Sequence, residues 1–366
     1  AAPDLVISDR MMHGMNGLEF CRRFHAMQRD GYGYFILLTS KSEKDDIAMG
    51  LDAGADDFLT KPVNPAELRA RINAGARILS MQQELSAKNE QVSTALAELQ
   101  AIHDAIEKDL RQARKIQQAL VPNRCQIFGT TRVSLLLQPC GHVGGDLVGM
   151  FSQIEGQLGV YSIDVSGHGI TSAMVTARVA GYLSGTFPEQ NIALDRFAED
   201  CFSMCFPTTT AQMLNQRLAA DPGVEEYLTM AYLTGDLATG AFSLVQAGHP
   251  PPILMRADGA CRFIGHGGLP IGLVDAVFYD PVDLVLSPGD KLLIYSDGFT
   301  EAVLKSGEML GEEGLVQLFT ESAMHAEGTE LLEDMFWRLR QRMPAGDSLG
   351  DDVSAALLEF DCLKGS

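Results

Sequence analysis

The stretch from Ala76 to Val121 contains neither glycine nor proline, and apolar residues recur in it at every seventh position. These positions are Ile78, Leu85, Val92, Leu99, Ile106, Ala113 and Leu120. Gly and Pro are the residues that interrupt helices, and a repeat of seven is the period of a coiled-coil seam. The pattern therefore predicts one long helix that separates a domain before it from a domain after it.

The second seam of this helix is poorer. If the residues above are d positions, the a positions are Gln82, Asn89, Leu96, His103, Leu110 and Gln117. Polar a residues lower the stability of a coiled coil and specify its register and strand number. The heptads predict a homodimer whose pairing is easily shifted, and the alternative is a helix packed on the domain that follows it.

Four aspartates lie at or near the ends of apolar runs in the second half of the chain. They are Asp146 in Gly144-Gly145-Asp146, Asp164 in the stretch from Ser162 to Gly169, Asp297 in Leu292 to Gly298, and Asp351 in Gly350 to Ser354. Carboxylates that converge at buried strand ends repel one another unless cations lie between them. Carboxylate oxygens and a backbone carbonyl are ligands for Mg²⁺ or Mn²⁺, whereas His and Cys ligands would favour zinc.

One Asp-Gly pair alone is typical of an ordinary turn. Here the acids follow β-like runs, which are Leu135 to Gln138, Leu158 to Ile163 and Lys291 to Tyr295, and this order favours one shared site. Two divalent ions about 3.5–4 Å apart can lower the pKa of a bridging water and hold a phosphoryl group for in-line attack. The sequence thus predicts a two-metal hydrolytic centre.

From about Arg114 to Phe360 the chain resembles the SpoIIE-like branch of the PPM-type, metal-dependent Ser/Thr phosphatases. Other motifs that carry the resemblance are Ala113 to Pro122, Ala247 to Pro252, Leu269 to Leu273 and Gly298 to Ala302. The resemblance implies an α-β-β-α sandwich that hydrolyses phosphoserine or phosphothreonine on a protein. A phosphorylated anti-sigma-factor antagonist of the STAS type is the substrate that it implies.

By the same resemblance, Asp146, Asp164, Asp297 and Asp351 are catalytic metal ligands, the backbone carbonyl of Val165 is a further ligand, and the cofactors are two Mg²⁺ or Mn²⁺ ions. The chain departs from the family at one place, because Leu147-Val148-Gly149 stands where members usually have two aromatics and a second acid. This departure removes none of the four acids.

His168 lies four residues after Asp164 and is the remaining candidate catalytic residue. It could donate a proton to the leaving serine or threonine oxygen or contact the phosphate, or it could brace the turn. A competing hypothesis is a regulatory adaptor whose phosphatase fold binds a partner without catalysis. The presence of all four acids argues against that hypothesis.

The first 75 residues alternate apolar strands with a helical pattern, which predicts a doubly wound parallel sheet. The three strands end on Asp9, on Thr39-Ser40 and on Lys61-Pro62. Sites in such sheets lie at the carboxyl ends of the strands, so Asp9, Thr39 and Lys61 are expected to meet there.

This region is similar to the receiver domain of bacterial response regulators from its third strand onward. The similarity implies that Asp9 accepts a phosphoryl group from an upstream histidine kinase. It also implies that Thr39 and Phe58 are switch residues and that Lys61 contacts the phosphate. Only eight residues precede Asp9, so the first strand, the first helix and the acidic pair for Mg²⁺ are expected in a longer chain with a complete receiver.

The expected architecture is therefore multi-domain α/β, with a receiver at 1–75, a coiled-coil linker at 76–121 and a phosphatase at 122–362. A net charge of −20 offers no basic stripe for nucleic acid. No apolar run reaches the roughly 18 residues of a membrane span. Seven cysteines without a C-x-x-C pair indicate reduced thiols and a cytoplasmic protein. The segment from Phe197 to Leu218 reads as helix interrupted near Pro207, with Cys201 and Cys205 as core residues or, alternatively, a metal pair.

Overall fold

The computed structural model describes residues 3–27, 31–40, 51–120, 123–167, 169–198, 201–220, 223, 226–344, 346 and 349–363. The chain forms two compact units, Ala1–Ile106 and Glu107–Ser366.

The first unit is built on a parallel sheet with strand order β1-β2-β3. Its elements are β1 (Leu5–Asp9), α1 (Gly17–Ala26), β2 (Tyr34–Ser40) and β3 (Asp57–Lys61). Successive residues of β2 point to opposite faces, so Phe35 packs with Phe24 on one face while Ile36 packs with Leu59 on the other. Both faces are covered, as the alternation of strands and helices predicted.

Helix α2 (Pro65–Ala119) contains 55 residues and begins earlier than the heptads suggested. Its start follows from local chemistry: Pro65 suits the first helical turn, and the Asn64 side chain accepts a hydrogen bond from Ala66 N at 2.8 Å. The first turns pack on the parallel sheet through Leu68, Ile72 and Leu79. The helix is therefore longer than the linker because it also completes the core of the first unit.

The apolar seam of α2 lies in two environments. Its members between Ile78 and Ile106 are between 44 and 63% exposed. Leu120, just past the helix end, instead packs against the core of the second unit. The seam is thus exposed along the helix within the first unit and packs intramolecularly at Leu120 in the second. Pairing of two copies through the exposed part stays a prediction.

The second unit is a sandwich of two antiparallel sheets, ordered β14-β11-β10-β7-β6 and β13-β12-β15-β16-β5-β4. The strands are β4 (Cys125–Phe128), β5 (Thr131–Gln138), β6 (Leu147–Phe151), β7 (Gln157–Val165), β8 (Leu194–Ala198), β9 (Cys201–Met204), β10 (Leu228–Asp236), β11 (Ala241–Ala247), β12 (Ile253–Met255), β13 (Cys261–Phe263), β14 (Pro281–Val285), β15 (Lys291–Tyr295) and β16 (Val353–Glu359). Strands β8 and β9 pair with each other in a separate hairpin.

Helices cover the outer face of each sheet. Those on the first sheet are α3 (Ile170–Tyr182) and α4 (Pro207–Ala219), and those on the second are α5 (Asp297–Thr300), α6 (Gly311–Ala323) and α7 (Gly328–Arg342). Along β7, Ile163 packs with the helices while Val160 packs between the sheets. The α-β-β-α sandwich expected from the sequence is confirmed.

The helix predicted from Phe197 onward is wrong over its first half. That segment forms the β8–β9 hairpin, and α4 begins only at Pro207. Proline has no N–H to donate and fits the first turn of a helix, so it marks the start of α4 rather than an interruption. Cys201 and Cys205 consequently do not share a helical face, and the geometry that a metal pair required is absent.

All seven cysteines are free thiols. Among the helices of the described residues, none has both the length and the apolar character that crossing a membrane demands.

Candidate metal centre

The predicted acids meet at one end of the sandwich because both sheets bring strand ends there. In the first sheet, Leu147 pairs with Ile163, so Asp146 before β6 lies beside Asp164 near the end of β7. In the second sheet, Tyr295 pairs with Ala355, so Asp297 after β15 lies near Asp351 before β16. Each sheet therefore contributes two of the four aspartates.

Burial and mutual repulsion change the acidity of these carboxyls. The pKa of Asp164 rises from 3.8 to about 7, through burial and then through the charges of Asp297, Asp351 and Asp352. The pKa of Asp297 rises to about 6, through burial and then through Asp351 and Glu301. These shifts show that the carboxylates are close enough to resist simultaneous ionisation.

Asp146 is the most deeply buried of the four, with 2% of its surface exposed. Burial raises its pKa well above the usual value, and the carboxylates of Asp164 and Asp352 raise it further. Its Oδ2 is buried without a hydrogen-bond partner among the described residues. A buried carboxylate oxygen in this position lacks compensation unless a cation or a proton supplies it.

The two glycines before Asp146 allow the backbone to approach its neighbours closely. A Cβ at Gly144 would lie 1.9 Å from the Oδ2 of Asp352, and one at Gly145 would lie 2.6 Å from the carbonyl oxygen of Val165. Larger residues would push the loop away from both groups. The Gly-Gly pair is therefore required by packing, and it places the Val165 carbonyl beside Asp146.

Asp352 is a further acid at this end of the sandwich, beside the predicted ligand Asp351. Its carboxylate accepts hydrogen bonds from Cys140 N at 2.8 Å and from Asp146 N at 3.3 Å. It is buried, whereas Asp351 beside it is exposed. Asp352 therefore holds the loop, whereas the exposed Asp351 carboxylate accepts a hydrogen bond from Asp352 N at 2.7 Å. In the sequence, only the alternation of side chains along a strand could have indicated that Asp351 and Asp352 point to opposite sides.

Other hydrogen bonds fix the surroundings of the acids. Thr176 on α3 donates to the Gly145 carbonyl at 2.7 Å. His249 contacts the Thr229 hydroxyl through Nδ1 at 2.8 Å and the Ser162 hydroxyl through Nε2 at 3.1 Å. Burial lowers the pKa of His249 to about 3, so this imidazole is neutral and braces β7 next to Asp164. His168 lies outside the described residues, and its catalytic role stays a prediction.

The donor set fits a hard divalent cation. The Cys140 sulfur and carboxylate oxygens of Asp351 and Asp352 lie within 4.8 Å of one another, but burial and the charge of Asp352 raise the pKa of the thiol to about 11. A protonated thiol is a poor metal ligand. The remaining ligand atoms are oxygens, as Mg²⁺ or Mn²⁺ requires, and Asp146 Oδ2 is an uncompensated one.

The departure at Leu147-Val148-Gly149 has a packing explanation. A Cβ at Gly149 would lie 2.2 Å from the Tyr161 hydroxyl oxygen, because the two residues face each other on β6 and β7. The Tyr161 ring fills the space that a Cβ at position 149 would need, so a second acid there would require the tyrosine side chain to move.

Two of the predicted receiver residues, Asp9 and Lys61, are in contact. The Lys61 ammonium contacts the Asp9 carboxylate, which accepts a second hydrogen bond from Met11 N at 3.3 Å. The hydrogen bond from Lys61 is the main cause of a lowered pKa at Asp9. Thr39 is buried on the neighbouring strand and Phe58 is half-buried on β3. Their functions in phosphorylation remain predictions.

Comparison with known proteins supports this architecture. Residues 154–361 match the family described as Stage II sporulation protein E (SpoIIE), which is more than half of the chain. The chain belongs to the SpoIIE family. Residues 1–73 match the response regulator receiver domain, so this SpoIIE-family chain carries a receiver at its N-terminal side.

Two curated relatives match different parts of this SpoIIE-family chain. The DNA-binding response regulator MtrA of Mycobacterium tuberculosis is 43% identical over 75 residues, which are 20% of this chain and 32% of MtrA. Protein IcfG of Synechocystis is 22% identical over 258 residues, which are 66% of this chain and 40% of IcfG. The chain thus spans about a third of the length of MtrA.

Two solved structures share the sandwich fold. The SiaA-PP2C domain of Pseudomonas aeruginosa has a TM-score of 0.58 at 18% identity, covering 71% of this chain and 99% of that domain. The PP2C domain and regulatory fragment of SpoIIE from Bacillus subtilis has a TM-score of 0.50 at 18% identity, covering 63% of each chain. The C-terminal unit therefore has the PP2C phosphatase fold.

The raised pKa values predict an unusual pH dependence of metal-free stability. A folded carboxyl with a pKa near 7 or 6 holds a proton that the unfolded chain, with a pKa of 3.8, releases. The resulting stability is present below about pH 4 and is lost as the pH rises through about 6–7. With chelator present, the Tm should therefore fall between about pH 5 and pH 8.

Asp164→Asn should flatten this decline and raise the Tm at about pH 8 by at least about 2–4 °C, the shift expected for 1 kcal/mol in a domain of this size. Asp283→Asn, at an exposed carboxylate on β14, is the matched control. A parallel pH profile for wild type and Asp164→Asn in thermal unfolding would contradict the repulsion between these acids.

Proposed function

We propose that this chain is a receiver-controlled, metal-dependent protein phosphatase that hydrolyses phosphoserine or phosphothreonine. The acid cluster carries the proposal. Asp146, Asp164 and Asp297 have raised pKa values without a basic residue among the causes, and the Asp351 charge helps to raise the pKa of two of them. Carboxylates that repel one another when no cation is present are suited to binding cations. Membership of the SpoIIE family and the PP2C fold support the same activity.

In this mechanism Asp146, Asp164, Asp297 and Asp351 hold two Mg²⁺ or Mn²⁺ ions, with the Val165 carbonyl as a further ligand. When bound, such ions supply an activated water nucleophile and neutralise charge on the phosphoryl group. Asp352 keeps the Asp146 loop in place through the backbone N–H groups of Cys140 and Asp146. His168 is proposed to contact the phosphate or to donate a proton to the leaving oxygen.

For the partners, we propose a phosphorylated STAS-type anti-sigma-factor antagonist as substrate and a histidine kinase upstream. Resemblance to the SpoIIE branch supports the substrate, and the Asp9–Lys61 pair in the receiver supports the kinase. The complete receiver would hold Mg²⁺ beside Asp9. The free thiols support a cytoplasmic location, because reducing compartments keep cysteines unpaired.

The activity is tested by hydrolysis of a phosphoserine protein or peptide at saturating Mn²⁺. Asp297→Asn and Asp164→Asn should each lower kcat by more than about 100-fold, since even residues that only support metal ligands are worth 10–100-fold. Asp283→Asn should retain wild-type turnover. Hydrolysis undetectable in the wild type, with substrate binding preserved, would instead favour the adaptor hypothesis.

We also propose a homodimer through the exposed part of the α2 seam. Leu99 is 63% exposed, and a second copy would bury it. Leu99→Lys places a charge in that seam and should convert a dimer to a monomer, while Ala101→Lys on the outer face of the same turn should leave the mass unchanged. Light scattering measures both. An identical mass for wild type and Leu99→Lys would exclude this seam as the dimer contact.

Receiver control is tested in the full-length protein with an acyl phosphate as phosphodonor. Phosphorylation of Asp9 should break the present contact between the Lys61 ammonium and the Asp9 carboxylate. We propose that it raises the turnover of the phosphatase. Asp9→Ala should abolish the response while leaving basal kcat as in the wild type. A full response in the Asp9→Ala variant would show that the phosphodonor acts elsewhere.

A further inference from the structure

Gln117 near the end of α2 is buried although the helix around it is not. Only 6% of its surface is exposed, against 66% for Ile116, and Gln118 is exposed as well. Glutamine carries two donors and an acceptor on its amide, and burying them is unfavourable unless they find partners. The buried amide of Gln117 is therefore expected to have hydrogen-bond partners.

Both partners of the amide belong to one residue of the metal centre. Gln117 Nε2 donates to the Gly144 carbonyl at 2.6 Å, and Gly144 N donates to Gln117 Oε1 at 3.1 Å. One side chain thus satisfies both backbone groups of a glycine 27 residues away along the chain. A carboxylate could only accept, an ammonium could only donate, and an apolar side chain could do neither.

Gly144 begins the loop that places Asp146. The rest of the loop is held by Thr176, which donates to the Gly145 carbonyl at 2.7 Å, and by Asp352, which accepts from Asp146 N at 3.3 Å. Val165 N also donates to the Gly145 carbonyl at 3.4 Å. Gln117 supplies the anchor at Gly144, from the side of α2. Without it, both Gly144 backbone groups would lose their side-chain partner, and only the anchors at Gly145 and Asp146 would hold the loop.

We propose that Gln117 is a positioning residue of the metal centre: through Gly144 it fixes the Asp146 carboxylate in the orientation that binds the cation. This inference rests on the proposed function for its metal site. It also makes the last turns of α2 part of the centre, since a displacement of those turns moves Gly144 through two hydrogen bonds.

Gln117→Met removes the donor and the acceptor while keeping the length of the side chain, and Gln118→Met makes the same change one residue away on the exposed surface. Calorimetric titration of the whole chain with Mn²⁺ should show binding weakened about 10–100-fold by Gln117→Met, the range for residues that orient metal ligands. Gln118→Met should bind as the wild type does. The KM for a phosphoserine peptide should stay within about twofold at saturating Mn²⁺, since Gln117 touches no substrate.

Gln117→Glu distinguishes an effect of loop positioning on Mn²⁺ affinity from an effect of charge. It also provides a second test if the Met variant does not fold. It keeps the shape and the bond from Gly144 N but loses the donor to the Gly144 carbonyl. A new negative charge near the acids would strengthen Mn²⁺ binding by attraction alone, whereas disturbed positioning weakens it. We expect weaker binding. Thermal unfolding with chelator present should remain cooperative in this variant.

Wild-type Mn²⁺ affinity in Gln117→Met, or tighter binding in Gln117→Glu, would overturn the proposal. An absence of Mn²⁺ binding in the wild type would overturn it together with the metal site. If the wild type binds Mn²⁺ but hydrolyses no phosphopeptide, the phosphatase proposal fails, and the affinities of the variants still decide the role of Gln117.

Discussion

The repulsion among the clustered carboxylates is the constraint on which the candidate metal centre depends. Asp146, Asp164 and Asp297 all have raised pKa values, and burial is the largest cause in each case. Hydrophobic packing between two sheets brings these acids together, although their charges oppose it. Glycines and backbone hydrogen bonds around Asp146 keep the acids in place, so the fold stabilises an arrangement that only a cation or protons can neutralise.

Much of this organisation could be predicted from the sequence because it follows from local patterns. Apolar runs ending on acids gave the strand ends, and the heptads gave the long helix. The β8–β9 hairpin was missed because short apolar segments fit a helix and a strand equally well, and pairing decides between them. Asp352 was missed because the sequence does not show which of the adjacent acids, Asp351 or Asp352, is buried. That distinction depends on the register of β16 with its neighbours.

Gln117 shows a further limit of sequence patterns. By period it is a polar a position, the kind of residue that adjusts the pairing of two helices. In the structure its amide binds the backbone of Gly144 within the same unit. The heptad repeat runs on although the surroundings of the seam differ along it. Leu99 is exposed, whereas Leu120 contacts the core of the second unit. A repeat fixes which face of a helix is apolar and leaves open what covers it.

The contact between Gly149 and Tyr161 has a consequence for how such sequences can diverge. The two positions face each other across β6 and β7, and the tyrosine ring occupies the place of a Cβ at position 149. A larger residue at position 149 clashes with Tyr161 if it is introduced first, and a shorter residue at position 161 leaves a cavity if that change comes first. Substitutions at these two positions are therefore coupled, and Tyr161 disfavours an acid at position 149.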